Sequence, residues 1–283
     1  MAKIRRPAVA GMFYEWAADA LKVQVESCFL HSFGPKKLPK VNMDGPREIV
    51  GLVCPHAGYF YSGSVAANAY FSLAADGKPD TVVILGPNHT GYGSGLAVVK
   101  EGFWRTPFGD VAIDKAVAED LLQQTSVLDV DDVAHSQEHS IEVQLPFLQY
   151  LYDDEFKFVP ICFLMQDLES AREIGKALAA ILRNRNAVVI ASSDFTHYES
   201  QAEVEKKDFA ALNAVEALDE HKFYTVLENQ NISACGYAPI GVLITYAKAS
   251  GVRRVELLSH QTSGDITGDK SSVVGYAAVS FKR

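Results

Sequence analysis

The stretch IVGLVCPHAGYFYSG (residues 49–63) joins a buried strand to a turn that carries a histidine. Ile49 to Val53 form an unbroken apolar run, as expected for a strand that is buried on both faces. His56 follows among proline, glycine, serine and tyrosine residues, which favour a turn. The imidazole therefore stands at the tip of a predicted strand, and a functional role depends on whether other strand tips carry similar side chains.

Apolar strands and helical patterns alternate along the rest of the chain. Helices are predicted at residues 15–32, 62–75, 114–125, 140–152, 168–183, 203–218, 223–230 and 241–249. Further strands are predicted at residues 81–85, 95–100, 111–113, 156–163, 187–192, 256–260 and 273–281, and residues 34–47 are predicted to form a loop. This alternation indicates an α/β fold with a central mixed, mostly parallel sheet flanked by helices. The absence of a repeat or linker favours a single domain over residues 1–283.

The composition narrows the class of protein. The chain has 283 residues, of which 48% are hydrophobic and 22% charged, as in ordinary globular proteins. A net charge of -9 argues against binding to nucleic acid or to anionic membranes. No stretch has the roughly 18 apolar residues of a membrane span, and the N-terminus does not resemble a signal peptide. The four scattered cysteines, Cys28, Cys54, Cys162 and Cys235, form no CxxC pair, which favours a reducing cytoplasm.

Side chains that can bind a ligand or take part in catalysis follow several of the predicted strands. In open α/β sheets, ligands bind outside the carboxyl ends of the strands. His56 follows the first apolar strand, His89 lies in GPNH after the second, and Asp194 and His197 lie in SDFTHY after a third. Cys235 lies in SACGYAPIG, before the last predicted helix. The recurrence of histidines at strand ends predicts a shared site at this edge.

His56, His89 and Cys235 could together supply three ligands to one metal ion, two imidazoles and one thiolate, and leave coordination positions open. Iron(II), copper and zinc all accept nitrogen and sulfur ligands, whereas sulfur disfavours magnesium and calcium. We expect iron(II) or copper, with zinc as a further option, and no nucleotide cofactor. His197 is a candidate general base or orienting residue, with Asp194 nearby in sequence.

Three other residues are candidates for contact with a ligand. The segment EHSIEVQ (residues 138–144) puts His139 and Glu142 three residues apart, on one face if the segment is helical. They could bind a substrate or orient a metal-bound histidine. Tyr59, close to His56, offers a phenol at the mouth of the site, although aromatic packing explains it equally well. The remaining histidines are not expected to be ligands: His31, His135, His221 and His260.

Seven blocks of the sequence resemble the Memo-like protein family. They are RPAVAGMFY (residues 6–14), CPHAGYFYSG (54–63), LGPNHTG (85–91), EHSIEVQLPFLQ (138–149), SSDFTHY (192–198), ACGYAPIGVL (234–243) and SSVVGYAAVSF (271–281). The blocks occur in the family's order and span almost the whole chain. Several long blocks in order are far more specific than any single motif.

The resemblance implies a fold similar to that of the class III extradiol, non-haem iron dioxygenases. Those enzymes bind iron through two histidines and a carboxylate, and use a further histidine as acid/base. Carried onto this chain, His56 and His89 fall on the two histidine positions and His197 on the acid/base position. Cys235 falls where Memo-like proteins place a cysteine instead of the carboxylate. A thiolate is softer and more easily oxidised, so dioxygenase activity does not follow from the fold.

The resemblance also implies partners without fixing a reaction. Microbial Memo-like proteins (protein B of the AmmeMemoRadiSam system) are often encoded with a radical-SAM protein and an AMMECR1-like protein, which suggests a shared pathway. One hypothesis is a metal-dependent oxidoreductase of unassigned reaction. The alternative is a non-catalytic binding or signalling protein that uses the same pocket for a peptide or small ligand. A third hypothesis, metal storage, differs from the first by the absence of turnover.

Overall fold

The computed structural model describes residues 3–43, 45 and 47–283, and a mixed sheet of nine strands runs through this part of the chain. In chain order the strands are β1 (Ile4–Arg5), β2 (Ile49–Cys54), β3 (Thr81–Pro87), β4 (Leu96–Val98), β5 (Phe103–Thr106), β6 (Gly109–Ala112), β7 (Asp129–Val130), β8 (Lys157–Phe163), β9 (Ala187–Ser192), β10 (His197–Glu199), β11 (Arg254–Thr262) and β12 (Val273–Lys282). Strands β1, β5 and β6 form a second, smaller sheet.

The helices cover both faces of the large sheet. They are α1 (Ala18–Leu30), α2 (Tyr59–Asp76), α3 (Lys115–Gln124), α4 (Leu145–Tyr152), α5 (Leu168–Leu182), α6 (Gln201–Glu216), α7 (Glu220–Gln230), α8 (Tyr237–Ala249) and α9 (Ser263–Thr267). A 3₁₀ turn at Glu142–Gln144 leads into α4. Among the residues that the structure describes, no helix is long and apolar enough to cross a membrane.

The order of strands in the large sheet is β10-β12-β2-β9-β3-β8-β4-β7, and β11 also pairs with β12. The central strands β2, β9, β3 and β8 run parallel, whereas β12 is antiparallel to β2 and β4 is antiparallel to β8. The predicted mixed α/β sheet flanked by helices is confirmed, with its parallel core in the centre and antiparallel pairs toward both edges.

The two faces of the sheet bury separate hydrophobic clusters. In β3, Val83 and Leu85 pack in the cluster that contains residues of α5 and α8, whereas Val82 and Ile84 pack in the cluster that contains residues of α1 and α2. Successive side chains of a strand point to opposite faces, so a strand covered on both faces must be apolar at every position. This explains the unbroken apolar runs in the sequence.

Some element boundaries differ from the predicted ones. The helix predicted from residue 140 begins at Leu145, after the 3₁₀ turn, so His139 and Glu142 do not share a helical face. Helix α2 begins at Tyr59 rather than at residue 62, directly behind the turn of His56. The short strands β1, β5, β7 and β10 and the short helix α9 were not predicted. Part of the predicted loop at 34–47 lies outside the described residues, including Pro46.

Glu142 fastens the N-terminal segment to the rest of the protein. Its carboxylate is fully buried and pairs with the guanidinium of Arg5. It also accepts hydrogen bonds from the backbone N–H groups of Ala8 (2.8 Å) and Val9 (3.1 Å) and from the hydroxyl of Tyr14 (2.6 Å). A carboxylate has about four acceptor sites, and these four donors fill them. We call Glu142 and its four partners the N-terminal clasp.

The N-terminal clasp brings Phe13 against the turn that follows β2. The carbonyl oxygen of Phe13 accepts a hydrogen bond of 2.8 Å from the N–H of Tyr59, the first residue of α2. The ring of Phe13 lies 4.7 Å from the ring of His139, measured between centroids. The N-terminal segment therefore forms one wall of the region that contains His56 and His139.

His135 is a buried histidine beside this segment. Its Nε2 lies 3.2 Å from the carbonyl oxygen of Ala97, which can only accept, so Nε2 carries the proton. The ring makes an edge contact with Trp104. Burial lowers the pKa of His135 from 6.5 to about 4.

We expect His135 to reduce stability as the pH falls from 6.5 toward 4. In this window the unfolded chain binds a proton at His135 and the folded chain does not, so acid favours unfolding by up to about 3 kcal/mol. Urea unfolding between pH 4 and 7 should show a weaker loss of stability in His135→Gln than in the wild type. The matched control His31→Gln removes an exposed histidine and should leave the slope unchanged; equal slopes in all three proteins would refute this account.

Candidate metal centre

Three neighbouring strands of the sheet each place a polar residue at the same edge. His56 lies two residues beyond the end of β2, His89 two beyond β3, and Asp194 two beyond β9. Strand β9 lies between β2 and β3, and the three strands are parallel. Their carboxyl ends therefore meet at one edge, which is where ligands bind in sheets of this type.

The hydrogen bonds around His56 determine which ring nitrogen carries the proton. The hydroxyl of Ser192 donates to the carbonyl oxygen of Ser140 (2.6 Å) and accepts from the side-chain amide of Gln144 (2.8 Å). His56 Nδ1 lies 2.9 Å from the same hydroxyl, so Nδ1 must be the donor. His56 Nε2 is left with a free lone pair, which is the form that binds metals.

Cys235 faces this lone pair. Its Sγ lies 3.1 Å from His56 Nε2, and it accepts a hydrogen bond of 3.2 Å from the backbone N–H of Asp194. Burial raises the pKa of the Cys235 thiol well above its ordinary value. Without a cation the thiol therefore keeps its proton at neutral pH and can donate a hydrogen bond to His56 Nε2.

The close approach of Cys235 to β9 requires glycine at the next position. A Cβ atom added to Gly236 would lie 2.3 Å from the carbonyl oxygen of Ser192 and 2.8 Å from the Cβ atom of Ser193. The backbone N–H of Gly236 instead donates to the hydroxyl of Ser193 at 2.9 Å. The sequence Cys235-Gly236 thus lets the thiol reach His56.

Glu138 orients two further histidines. Its Oε1 lies 3.0 Å from His89 Nδ1 and 3.3 Å from His139 Nδ1, and it accepts backbone N–H bonds of 2.8 Å from both His139 and Ser140. Burial alone would raise the pKa of Glu138, but the contacts with His89 and His139 and these N–H donors lower it to about 2. Because the carboxylate can only accept, His89 Nδ1 carries the proton and its Nε2 lone pair is free. The negative charge also favours the proton on His139 Nδ1, which faces the same oxygen without a hydrogen bond.

The donor atoms fall into two groups that share His56. His56, His89 and His139 form one group, and His56, Asp194 and Cys235 form the other; within each group, one ligand atom per residue lies within 4.8 Å of the others. The predicted ligands His56, His89 and Cys235 are therefore spread over both groups. Among the described residues, these histidine, cysteine and carboxylate side chains make a candidate metal-binding site.

Of the two predicted acid/base residues, Asp194 belongs to the second group, and His197 lies near enough to interact electrostatically with His56 and Asp194. Asp194 is buried and accepts a hydrogen bond of 2.8 Å from the backbone N–H of His56, and burial raises its pKa to about 6. His197 is half-buried, and its Nδ1 lies 2.9 Å from the carbonyl oxygen of Ser233, so Nδ1–H donates. His197 Nε2 is left as the proton acceptor.

Two residues predicted to bind substrate are occupied by the protein itself. Glu142 has both oxygens in the N-terminal clasp. Tyr59 is buried, its ring packs against Phe147, and its hydroxyl donates to the carbonyl oxygen of Val143 at 2.7 Å. Neither residue has a free polar group for a ligand in this arrangement.

A model of the Memo-like protein family matches residues 5–280 of the chain. The chain belongs to the Memo-like protein family. It is 51% identical over 281 residues to a MEMO1 family protein of Methanopyrus kandleri, covering 99% of each chain. It is 47% identical over 279 residues to a MEMO1 family protein of Methanothermobacter thermautotrophicus, covering 98% of this chain and 100% of the relative.

A solved structure shares the fold of this Memo-like protein. The crystal structure of an uncharacterized protein from Escherichia coli K12 superposes with a TM-score of 0.56 and 14% sequence identity. The match covers 82% of this chain and 99% of the other. At this identity the likeness bears on the fold alone.

Glu138 is the residue of this Memo-like protein that the sequence analysis missed. The prediction for the segment EHSIEVQ rested on the spacing of His139 and Glu142 and did not include Glu138, its first residue. An acidic residue directly before a candidate histidine was the available signal, because carboxylates commonly orient metal-binding imidazoles.

Proposed function

We propose that this Memo-like protein is a metal-dependent oxidoreductase whose ion is held by His56, His89 and Cys235. The observation that carries the proposal is that hydrogen bonds fix the tautomers of the two histidines. Ser192 and Glu138 fix the Nδ1 protons of His56 and His89, which leaves both Nε2 lone pairs ready for a cation. The thiol of Cys235 lies beside one of them.

The donor atoms fit iron(II), copper or zinc. Two nitrogen ligands at about 2.1 Å from one ion are at most about 4.2 Å apart. The donor atoms in each of the two groups lie within 4.8 Å of one another, which is close to this separation, and the proposed set takes His56 and His89 from one group and Cys235 from the other. Nitrogen with sulfur favours iron, copper or zinc over magnesium or calcium.

The protein's own residues prepare the site for such an ion. Burial lowers the pKa of His56 well below its ordinary value, so its imidazole stays neutral at physiological pH. Cys235 must release its proton to bind as a thiolate, so metal binding should release protons. A redox-active ion there would supply electron transfer and an open position for substrate. His197, held by Ser233, would accept or return a substrate proton at Nε2.

A second candidate function is non-catalytic binding of a peptide or small ligand at the same pocket. Exposed aromatic side chains follow the site residues along the chain: Phe60 and Tyr61 after His56, Tyr92 after His89, and Tyr198 after His197. Exposed apolar side chains close to site residues can form part of a binding surface. This arrangement would suit an aromatic or apolar ligand.

Further parts of the proposal come from the family resemblance and from the cysteines. The proposed partners are the radical-SAM protein and the AMMECR1-like protein of the same pathway. The four cysteines are free, and a reducing cytoplasm would keep them so.

The first test is the metal content of anaerobically purified protein. We expect near-stoichiometric iron or copper in the wild type and in the control His31→Ala, and its loss in His89→Ala. His31 is exposed and distant in sequence from the site residues, so the control removes an imidazole without touching the site. Oxygen-consumption assays on the metal-loaded protein then separate turnover from storage. No metal in any variant, even after reconstitution with iron(II) and copper(I), would favour the binding function instead.

A further inference from the structure

Three imidazole rings lie close together beyond the carboxyl ends of β2 and β3. The ring centroids of His56 and His89 are 5.1 Å apart, those of His56 and His139 are 5.5 Å apart, and those of His89 and His139 are 4.6 Å apart. His139 was predicted from sequence as a substrate contact, and the proposed ligand set does not include it. Its position calls for a different role.

The spacing of the three rings matches a shared metal ion. An ion about 2.1 Å from Nε2 lies about 3.2 Å from the centre of that imidazole ring. With angles of about 90–109° between ligands, the ring centres are then about 4.5–5.2 Å apart. The three observed separations, from 4.6 to 5.5 Å, agree with this geometry to within about 0.3 Å.

The protonation of the three rings points the same way. The Nδ1 atoms of His89 and His139 both face Glu138, and the Nδ1 atom of His56 faces Ser192. All three Nε2 atoms are therefore acceptors. Within the described residues, those of His89 and His139 have no hydrogen-bond donor. A cation would satisfy all three lone pairs at once.

The surroundings of His139 hold its ring in this position. It stacks on His89 with an interplanar angle of 25°, and it packs against Phe13. Phe13 is placed by the N-terminal clasp, so the wall formed by the N-terminal segment supports this imidazole. Such support limits the rotations that would carry Nε2 away from the shared point.

We propose that His139 is a third imidazole ligand, so that the ion rests on the face formed by His56, His89 and His139. Cys235, which belongs to the other donor group, then adds a sulfur donor that is not required to retain the ion. This inference rests on the proposed function in one respect, because it requires that a metal ion binds at this site. It assigns a metal-binding role to a residue for which the sequence suggested substrate contact or the orientation of a metal-bound histidine.

Anaerobic titration with cobalt(II) tests the inference, with calorimetry for affinity and absorption for sulfur-to-cobalt charge transfer. His139→Ala and His139→Phe should each weaken binding by at least about 100-fold, as should His89→Ala, since loss of a supporting partner alone costs about 10–100-fold. His139→Phe keeps the ring that stacks on His89 and guards against loss of the fold. Cys235→Ala should lose the charge-transfer band yet retain one cobalt ion. The control His31→Ala, at an exposed histidine outside both donor groups, should bind cobalt as the wild type does.

The contrary results are distinct. Wild-type affinity in both His139 variants, or loss of the ion in Cys235→Ala, would overturn the three-histidine face while the proposed metal function stands. No binding by the wild type would overturn both proposals. Circular dichroism of the metal-free variants verifies that each has folded.

Discussion

Replacing Arg5 with Ala is expected to lower the free energy of unfolding by about 3–5 kcal/mol. The guanidinium of Arg5 pairs with the fully buried Glu142 and also donates to the carbonyl oxygens of His135 (3.0 Å) and Glu138 (2.6 Å). Its removal would leave a buried carboxylate without its cation. Urea unfolding at neutral pH measures the loss, and the melting temperature should fall by roughly 6–15 °C.

The matched control for this prediction is Lys3→Ala. Lys3 lies in the same segment, but its ion pair with Asp132 is exposed to solvent, so the change should cost less than about 1 kcal/mol. The double variant Arg5→Ala with Glu142→Gln should recover part of the loss, because it removes the unpaired charge. Equal losses for Arg5→Ala and Lys3→Ala would show that the N-terminal clasp does not depend on the buried pair.

Replacing Glu138 with Gln is expected to lower the affinity for a bound metal by about 10–100-fold. A single carboxylate oxygen of Glu138 faces the Nδ1 atoms of both His89 and His139. An amide that keeps its oxygen toward these two imidazoles would present N–H groups to the backbone N–H of His89, which now donates to the other oxygen of Glu138, so either the amide rotates or the segment of His89 shifts. At least one imidazole should lose its fixed orientation. Competition titration with a chromophoric chelator measures the change.

Glu101→Gln provides the control for this substitution. It makes the same chemical change at an exposed residue that pairs with Lys115, and metal affinity should not change. If Glu138→Gln bound metal as tightly as the wild type, the carboxylate would serve only to hold the loop through the backbone N–H groups of His139 and Ser140.

The positions of the site residues at the strand ends could be read from the sequence because the central strands are buried on both faces. Such strands are apolar throughout, so their ends are sharp, as at β9, where the predicted and observed bounds coincide. Polar residues just beyond the ends, such as His56 and His89, then stand out. Which of these residues share a ligand could not be read, because that depends on side-chain directions in separate loops.

Interactions between distant segments account for the largest differences from the prediction. Glu142 was predicted, from its spacing to His139, to contact a ligand or orient a histidine. Its partner Arg5 lies 137 residues away in sequence, and no local pattern reveals such a pair. Helix α8 differs for a local reason: it begins at Tyr237, before the predicted residue 241, and contains Pro239 in its first turn. There the missing N–H of proline has no helical partner to lose, so the residue does not break the helix.

The partners of β2 have a consequence for how the protein folds. Strand β2, which leads to His56, is flanked by β9 on one side and by β12 on the other, and β12 begins only at Val273. Contacts between segments so far apart in sequence form late and slow the folding of a domain. Until β12 pairs, the apolar edge of β2 is open to other chains, so aggregation during refolding should compete most strongly at this stage.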